Sequence, residues 1–187
     1  MKGQKIIDTV LRAIFLVSFL IASISVYSQK YILNRGTITF FSEATLEDIK
    51  ADNEKVSSIF NVSTSEIAFS IPNSEFQFEK KLMQQHFNEK YMETDKYPRS
   101  TFSGKLLGFT ITTPGEQLVK AVGKLTIHGV TKEVEVPGAV EVKSDGISMK
   151  AMFIVKLADH KIKIPQIMWQ NIAEQVEVTV NLAYNPQ

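Results

Sequence analysis

Apolar and polar residues alternate along most of this chain with the period of two that a half-buried β-strand requires. Phe102, Gly104 and Leu106 interleave with Thr101, Ser103 and Lys105. Val119, Ala121, Gly123, Leu125 and Ile127 interleave with Lys120, Val122, Lys124, Thr126 and His128. The same rhythm runs through Gly36 to Phe41, Glu66 to Ile71, Glu133 to Val136, Ile147 to Leu157 and Val176 to Tyr184. Turn residues fall between these runs. His128-Gly129 and Ser144-Asp145-Gly146 are residue types expected to supply the positive φ that tight hairpins need, so Val119 to Leu157 predicts three consecutive antiparallel strands. With a further pair across Val56 to Ile71, the chain holds about eight strands, the number that closes a small barrel. Glu43 to Asn61 is ambiguous, because Leu46, Ile49, Val56, Ile59 and Phe60 are spread among charges with no single period.

One segment changes period. Met83, Phe87 and Tyr91 recur at helical spacing, with Leu82 and His86 beside them, which predicts an amphipathic helix over Lys80 to Tyr91. A lone helix in a β chain must cover something. The end of a barrel is the natural place, and Met83 and Phe87 are expected to face inward. The predicted fold class is therefore all-β: an eight-stranded antiparallel up-and-down barrel with one capping helix. Short hairpins from Val119 onward favour it over a sandwich, which needs long crossovers.

The N-terminus follows other rules. Lys2, Lys5 and Arg12 precede an uncharged apolar run of 12 residues, Ala13 to Ile24, followed by small residues up to Ser28. That run falls short of the roughly 20 residues that span a bilayer, and the order matches a secretory signal peptide. The expectation is a signal peptide over 1–28 and one domain over 29–187, periplasmic or secreted. Removing Lys2, Lys5, Arg12 and Asp8 would move the formal charge from +1 to −1, so no global field attracts nucleic acid. Cysteine is absent, which excludes both a lipoprotein anchor and disulfides. Hydrophobic residues at 44% and charged residues at 22% fit a globular domain and not a disordered one.

Motifs for catalysis and metal binding are missing. His86, His128 and His160 lie 42 and 32 residues apart, which matches no local ligand spacing. They are expected to serve packing and turns. Asp159-His160 is half of a hydrolase dyad, but no Gly-x-Ser-x-Gly elbow supplies a nucleophile. Glu133 and Glu135 share a strand face with Thr131 and read as solvated exterior. The expectation is no enzyme, no cofactor and no metal.

Several of these segments together resemble the YceI-like family of lipid- and polyisoprenoid-binding proteins. Leu82-Met83-Gln84-Gln85-His86-Phe87 comes first, then Lys96-Tyr97-Pro98 with Phe102, then Gly123 to Lys132 with its Leu-Thr-Ile-His-Gly-Val-Thr-Lys hairpin. Ile162-Lys163-Ile164-Pro165 and the strand Val176 to Leu182 fit the family's end. The resemblance implies a lipocalin-like barrel that holds a lipid or isoprenoid in its interior without altering it. The outward faces carry Lys105, Lys120, Lys124, Glu133, Glu135, Lys150, Lys156 and Glu177, so no membrane span is expected once the leader is removed, and a homodimer is left open.

The inward face carries the candidate binding residues. Phe40, Phe69, Phe102, Leu125, Ile127, Val134, Val136, Phe153 and Val155 share it. Trp169 stands in a polar-capped loop that either lines the barrel mouth or plugs it. Alternation cannot tell a solid interior from a lined cavity. Small residues on the same face, Gly36, Gly104, Ala121, Gly123 and Ala151, are expected to leave volume for a ligand.

Overall fold

The computed structural model describes residues 30–43, 48–164 and 173–186. The segment 1–28, expected to be a leader, and Trp169 lie outside the described residues.

Among the described residues ten strands form one antiparallel sheet: β1 (Lys30–Ser42), β2 (Ile49–Asn53), β3 (Ser57–Asn61), β4 (Glu66–Pro72), β5 (Gln77–Phe78), β6 (Arg99–Leu107), β7 (Gly115–Ile127), β8 (Val130–Val142), β9 (Ile147–Lys156) and β10 (Gln175–Pro186). The ambiguous segment accounts for the excess over eight. Strands β2 and β3 both pair with β1 and keep one register, from Ile38↔Asn53 to Ile32↔Ile59, so they are two halves of a single interrupted wall. Strands β4 and β5 likewise continue one another, pairing with β3 and β2 across the tight turn Asn73–Glu75. Eight walls remain, each beside its neighbour in sequence. Pairing of β10 with β1, from Tyr31↔Pro186 to Phe41↔Glu177, closes the sheet into an up-and-down barrel.

Each strand sends one set of side chains inward and the other to solvent. Val136, Val140, Ile147, Met149, Val180 and Leu182 are buried in the interior. Lys105, Lys120, Lys124, Glu133, Glu135, Lys150 and Lys156 are exposed outside. A membrane barrel needs an outer apolar band, and this charged exterior gives a barrel that does not span a bilayer. No helix among the described residues is long and apolar enough to cross one.

The two ends are closed by different means. At the end where β1 begins, Phe60, Phe109 and Tyr184 pack together, with ring centroids 5.1 and 6.0 Å apart, and the Tyr184 hydroxyl meets Ser58 Oγ at 2.6 Å. At the opposite end a helix lies over the opening. It is α-helical only over Lys81–His86 and then widens into a π-turn, Phe87–Tyr91, so the predicted helix is shorter and looser than its periodicity suggests.

The hairpin from β7 to β8 turns on His128 and Gly129, both at positive φ (50° and 71°), as a two-residue turn of the primed type requires. Glycine is needed at the second position for a further reason. A Cβ there would come within 2.5 Å of the Tyr97 ring.

Candidate functional site: an apolar cavity under the capping helix

Under the helix the barrel is hollow. A cavity of about 480 Å³ lies between the helix and the barrel interior, within the range that small-molecule sites occupy. Its wall is mostly apolar. Phe40, Phe69, Leu125, Ile127, Phe153 and Val178 line it from the strands, and Met83, Phe87 and Met92 from the cap. The exposed Leu82 also lines it, so the cavity meets solvent beside the helix.

The cap is held by aromatic contacts. Phe87 lies 5.0 to 5.5 Å, centroid to centroid, from Phe40, Phe76 and Phe78. Helical spacing places Met83 and Phe87 on the face toward the barrel, as the sequence pattern required. The rings bridge the opening from its rim, which covers the volume without filling it.

Few polar groups face the cavity, and most are engaged. Asn73, fully buried, donates from Nδ2 to the Tyr97 carbonyl and accepts at Oδ1 from Ser100 Oγ. Ser42 Oγ accepts from the Ala173 amide. These bonds tie the β4–β5 corner and the last strand to the rim. His86 and Tyr91 are the two titratable groups lining the cavity among the described residues. Burial pushes the Tyr91 phenol above its ordinary value, so it stays a neutral hydrogen-bond donor.

The other two histidines are elsewhere in the same end. His128 Nδ1 donates to the His160 carbonyl, and its Nε2 meets a Glu93 carboxylate oxygen at 2.9 Å. His160 Nδ1 donates to the Val130 carbonyl. Tyr97 lies against His128, ring centroids 4.3 Å apart. The Tyr-Pro and His-Gly motifs therefore lock a hairpin to the turn Leu157–His160 and to the loop after the cap. Neither His160 nor the exposed Asp159 lines the cavity. Among the described residues no group of three or more acidic or histidine side chains could hold a metal ion.

The candidate lining residues divide into two groups. Phe40, Phe69, Leu125, Ile127, Phe153 and Val155 line the large cavity. Phe102, Ala121, Val134 and Val136 line a second, smaller chamber of about 60 Å³ deeper in the barrel, which Phe69, Leu125 and Phe153 also touch. Gly123 lines neither. The idea that inward glycines create the space needs correction. A Cβ on Gly123 would run into the Ser103 carbonyl and Gly104 of the next strand, and one on Gly104 into the Val122 carbonyl. Glycine there lets β6 and β7 approach closely. Gly36 similarly yields its space to Val56, Leu182 and Leu33. Sequence reasoning missed Ile38, Ile71, Val176 and the rim pair Asn73 and Ser100 as lining residues. The first three lie on apolar faces that the alternation already marked, but nothing local signals that a buried Asn-Ser pair borders a cavity.

A family profile described as the YceI-like domain matches residues 25–184, most of the chain. The chain belongs to the YceI-like family. Solved structures agree on the fold. A domain from Saccharophagus degradans, described as a polyisoprenoid binding domain implicated in plant cell wall breakdown, matches with a TM-score of 0.72 and 17% identity, covering 84% of this chain and 98% of that one. Burkholderia cenocepacia BcnA matches at 0.65 and 17% identity, with 79% and 95% covered. A Campylobacter jejuni YceI protein matches at 0.62 and 17% identity, with 78% and 89% covered. No curated protein sequence matches the chain. At 17% identity these YceI-like structures share the barrel with this chain, and the cavity described above is this chain's own.

Proposed function

We propose that this protein is an exported binding protein that holds one long apolar molecule, a polyisoprenoid or fatty-acid derivative, in the barrel and releases it unchanged. The observation that carries this reading is the apolar cavity of about 480 Å³ beneath the helix. A water-filled cavity with such a wall is unfavourable, and burying an apolar chain there gains about 25 cal/mol per Å² removed from water. Family membership and the likeness to the Saccharophagus degradans domain support the same class of ligand. Phe40, Phe69, Ile127, Phe153 and Val155 form the contact surface in this reading. His86 and Tyr91 lie where a polar end group would rest. The lipid or isoprenoid is the partner, with no nucleic acid. A homodimer would leave each barrel with its own cavity.

Export is the second part of the proposal. A cleaved leader over 1–28 would release residues 29–187 to the periplasm or the medium. N-terminal sequencing of exported protein is expected to start at Gln29 or within about two residues of it, and retention of Met1 would end this part of the proposal.

Binding is tested by native mass spectrometry of protein purified without detergent, followed by organic extraction of whatever it carries. The expected spectrum shows one apolar adduct per chain. Bare polypeptide both as purified and after incubation with farnesol would overturn the reading.

A further inference from the structure

The large cavity does not end in a solid floor. It ends at a waist of four side chains, Phe69, Leu125, Phe153 and Val180, which line both the large cavity and the chamber of about 60 Å³ below it. These four are not equivalent. Leu125 and Val180 are buried among the strands, and Phe69 is stacked on Phe102 with centroids 5.1 Å apart. Phe153 is half-buried like Phe69, but among the described residues it pairs with no aromatic ring. One interior step further along β9 stands Ala151, which lines the small chamber, and Ala121 faces the same space from β7. Phe153 thus stands between the roomy chamber and a small one whose wall includes Ala121 and Ala151.

We infer that Phe153 is a specificity-determining residue that sets the length of chain the cavity accepts. This rests on the lipid-binding reading above. The ligand lies with its polar end beside His86 and Tyr91 and its tail against the waist. The orientation follows from the lining, because the polar side chains are at the helix end and the waist is wholly apolar. At about 30 Å³ for a water-sized group, a volume of about 480 Å³ holds about 16 such groups. That is on the order of fifteen carbons, and carbons beyond that gain buried contact only by passing Phe153, because the other way out is the opening to solvent beside Leu82.

The test compares geraniol, farnesol and geranylgeraniol, each one isoprene unit longer than the last, by displacement of the fluorescent probe 1-aminoanthracene. In the wild-type protein, affinity is expected to rise from geraniol to farnesol and to rise no further at geranylgeraniol. Phe153→Ala should raise the ratio of geranylgeraniol to farnesol affinity about tenfold. Phe153→Leu, a gentler change that keeps the interior apolar, should move it the same way by less and decides the matter if the alanine variant does not fold. Adding Ala121→Leu to Phe153→Ala refills the lower chamber and should restore the wild-type ratio. An unchanged ratio in the folded Phe153 variants, or binding in the wild type that rises steadily with length, would overturn the gauge while leaving lipid binding intact. Failure of all three alcohols to bind the wild-type protein would overturn the binding reading itself.

Discussion

The two ends of this barrel are built from the same alternation of apolar and polar residues and finish differently. At the far end Phe60, Tyr184 and Ile147 are almost wholly inaccessible, at 0%, 1% and 2% exposure. At the helix end Phe40, Phe69, Ile127, Phe153 and Val178 point inward too, yet remain half-buried. An inward residue that stays half-buried has no neighbour on one side. The far end is filled because aromatic rings from β3, β10 and the segment after β6 meet across the axis. The near end is covered by a separate element whose rings stand on the rim. A lid of that kind excludes water without supplying the atoms that would make a core.

If this contrast is right, substitutions should separate the two ends. The largest loss is expected from Phe60→Ala. It empties a fully packed site and should cost about 4 kcal/mol, lowering the melting midpoint by about 10 °C in a thermal scan. Ligand retention should be little changed. A loss smaller than that of any cap substitution would mean the far end is not the packed one. Phe87→Ala should cost less, about 2 kcal/mol, because one side of that ring already faces the cavity. Its effect on retained lipid, read by extraction from purified protein, should exceed its effect on stability.

A pair of tryptophans sharpens the contrast. Ala121 lines the chamber of about 60 Å³, which is too small for an indole, so Ala121→Trp should be destabilising by about 1–3 kcal/mol. Val178 lines the large cavity. Val178→Trp should cost less than about 1 kcal/mol, because the indole enters existing space, and should displace the ligand. Denaturant midpoints that fall equally would remove the distinction between chambers.

The packed end should also show a pH dependence. Burial raises the Tyr184 phenol well above the ordinary tyrosine value, with the Ser58 hydrogen bond opposing the shift. The folded chain therefore holds this proton more tightly than the unfolded one. The stabilisation is fully present below about pH 10 and declines as pH rises beyond it. Tyr184→Phe should lose about 1 kcal/mol at neutral pH through the missing hydrogen bond and should flatten the alkaline decline, with Tyr91 and Lys96, both raised, contributing to what remains. Urea unfolding at pH 8 and at pH 11 measures both, and an alkaline slope unchanged by the substitution would show that Tyr184 is not its source.

Much of the architecture was legible beforehand because it depends on neighbours in sequence. Alternation over Val119 to Leu157 marked three strands and their inward faces. The pair His128-Gly129 marked a hairpin because only a turn of one type needs two consecutive positive φ values. Met83 and Phe87 marked the face of the cap by their spacing. The segment Ile49 to Asn61 was obscure because its wall is broken between β2 and β3, so its alternation is interrupted although its register against β1 is continuous. The glycines misled because a missing side chain can mean empty space or a closely packed neighbour. Gly123 and Gly104 sit opposite one another in adjacent strands, and that pairing decides which.

By itself, the sequence determined most of the strands and their inward faces, the turns at His128-Gly129 and Ser144 to Gly146, and the presence of a covering helix, because these are set by local periodicity and backbone preference. Tertiary structure alone decided three things. It brought His128 to the His160 carbonyl and Asn73 to Tyr97 across long separations. It merged ten strands into eight walls. It also left the interior hollow at one end, since empty volume is a difference between the space a closed barrel encloses and the summed bulk of side chains from every wall, and no single stretch of sequence contains that difference.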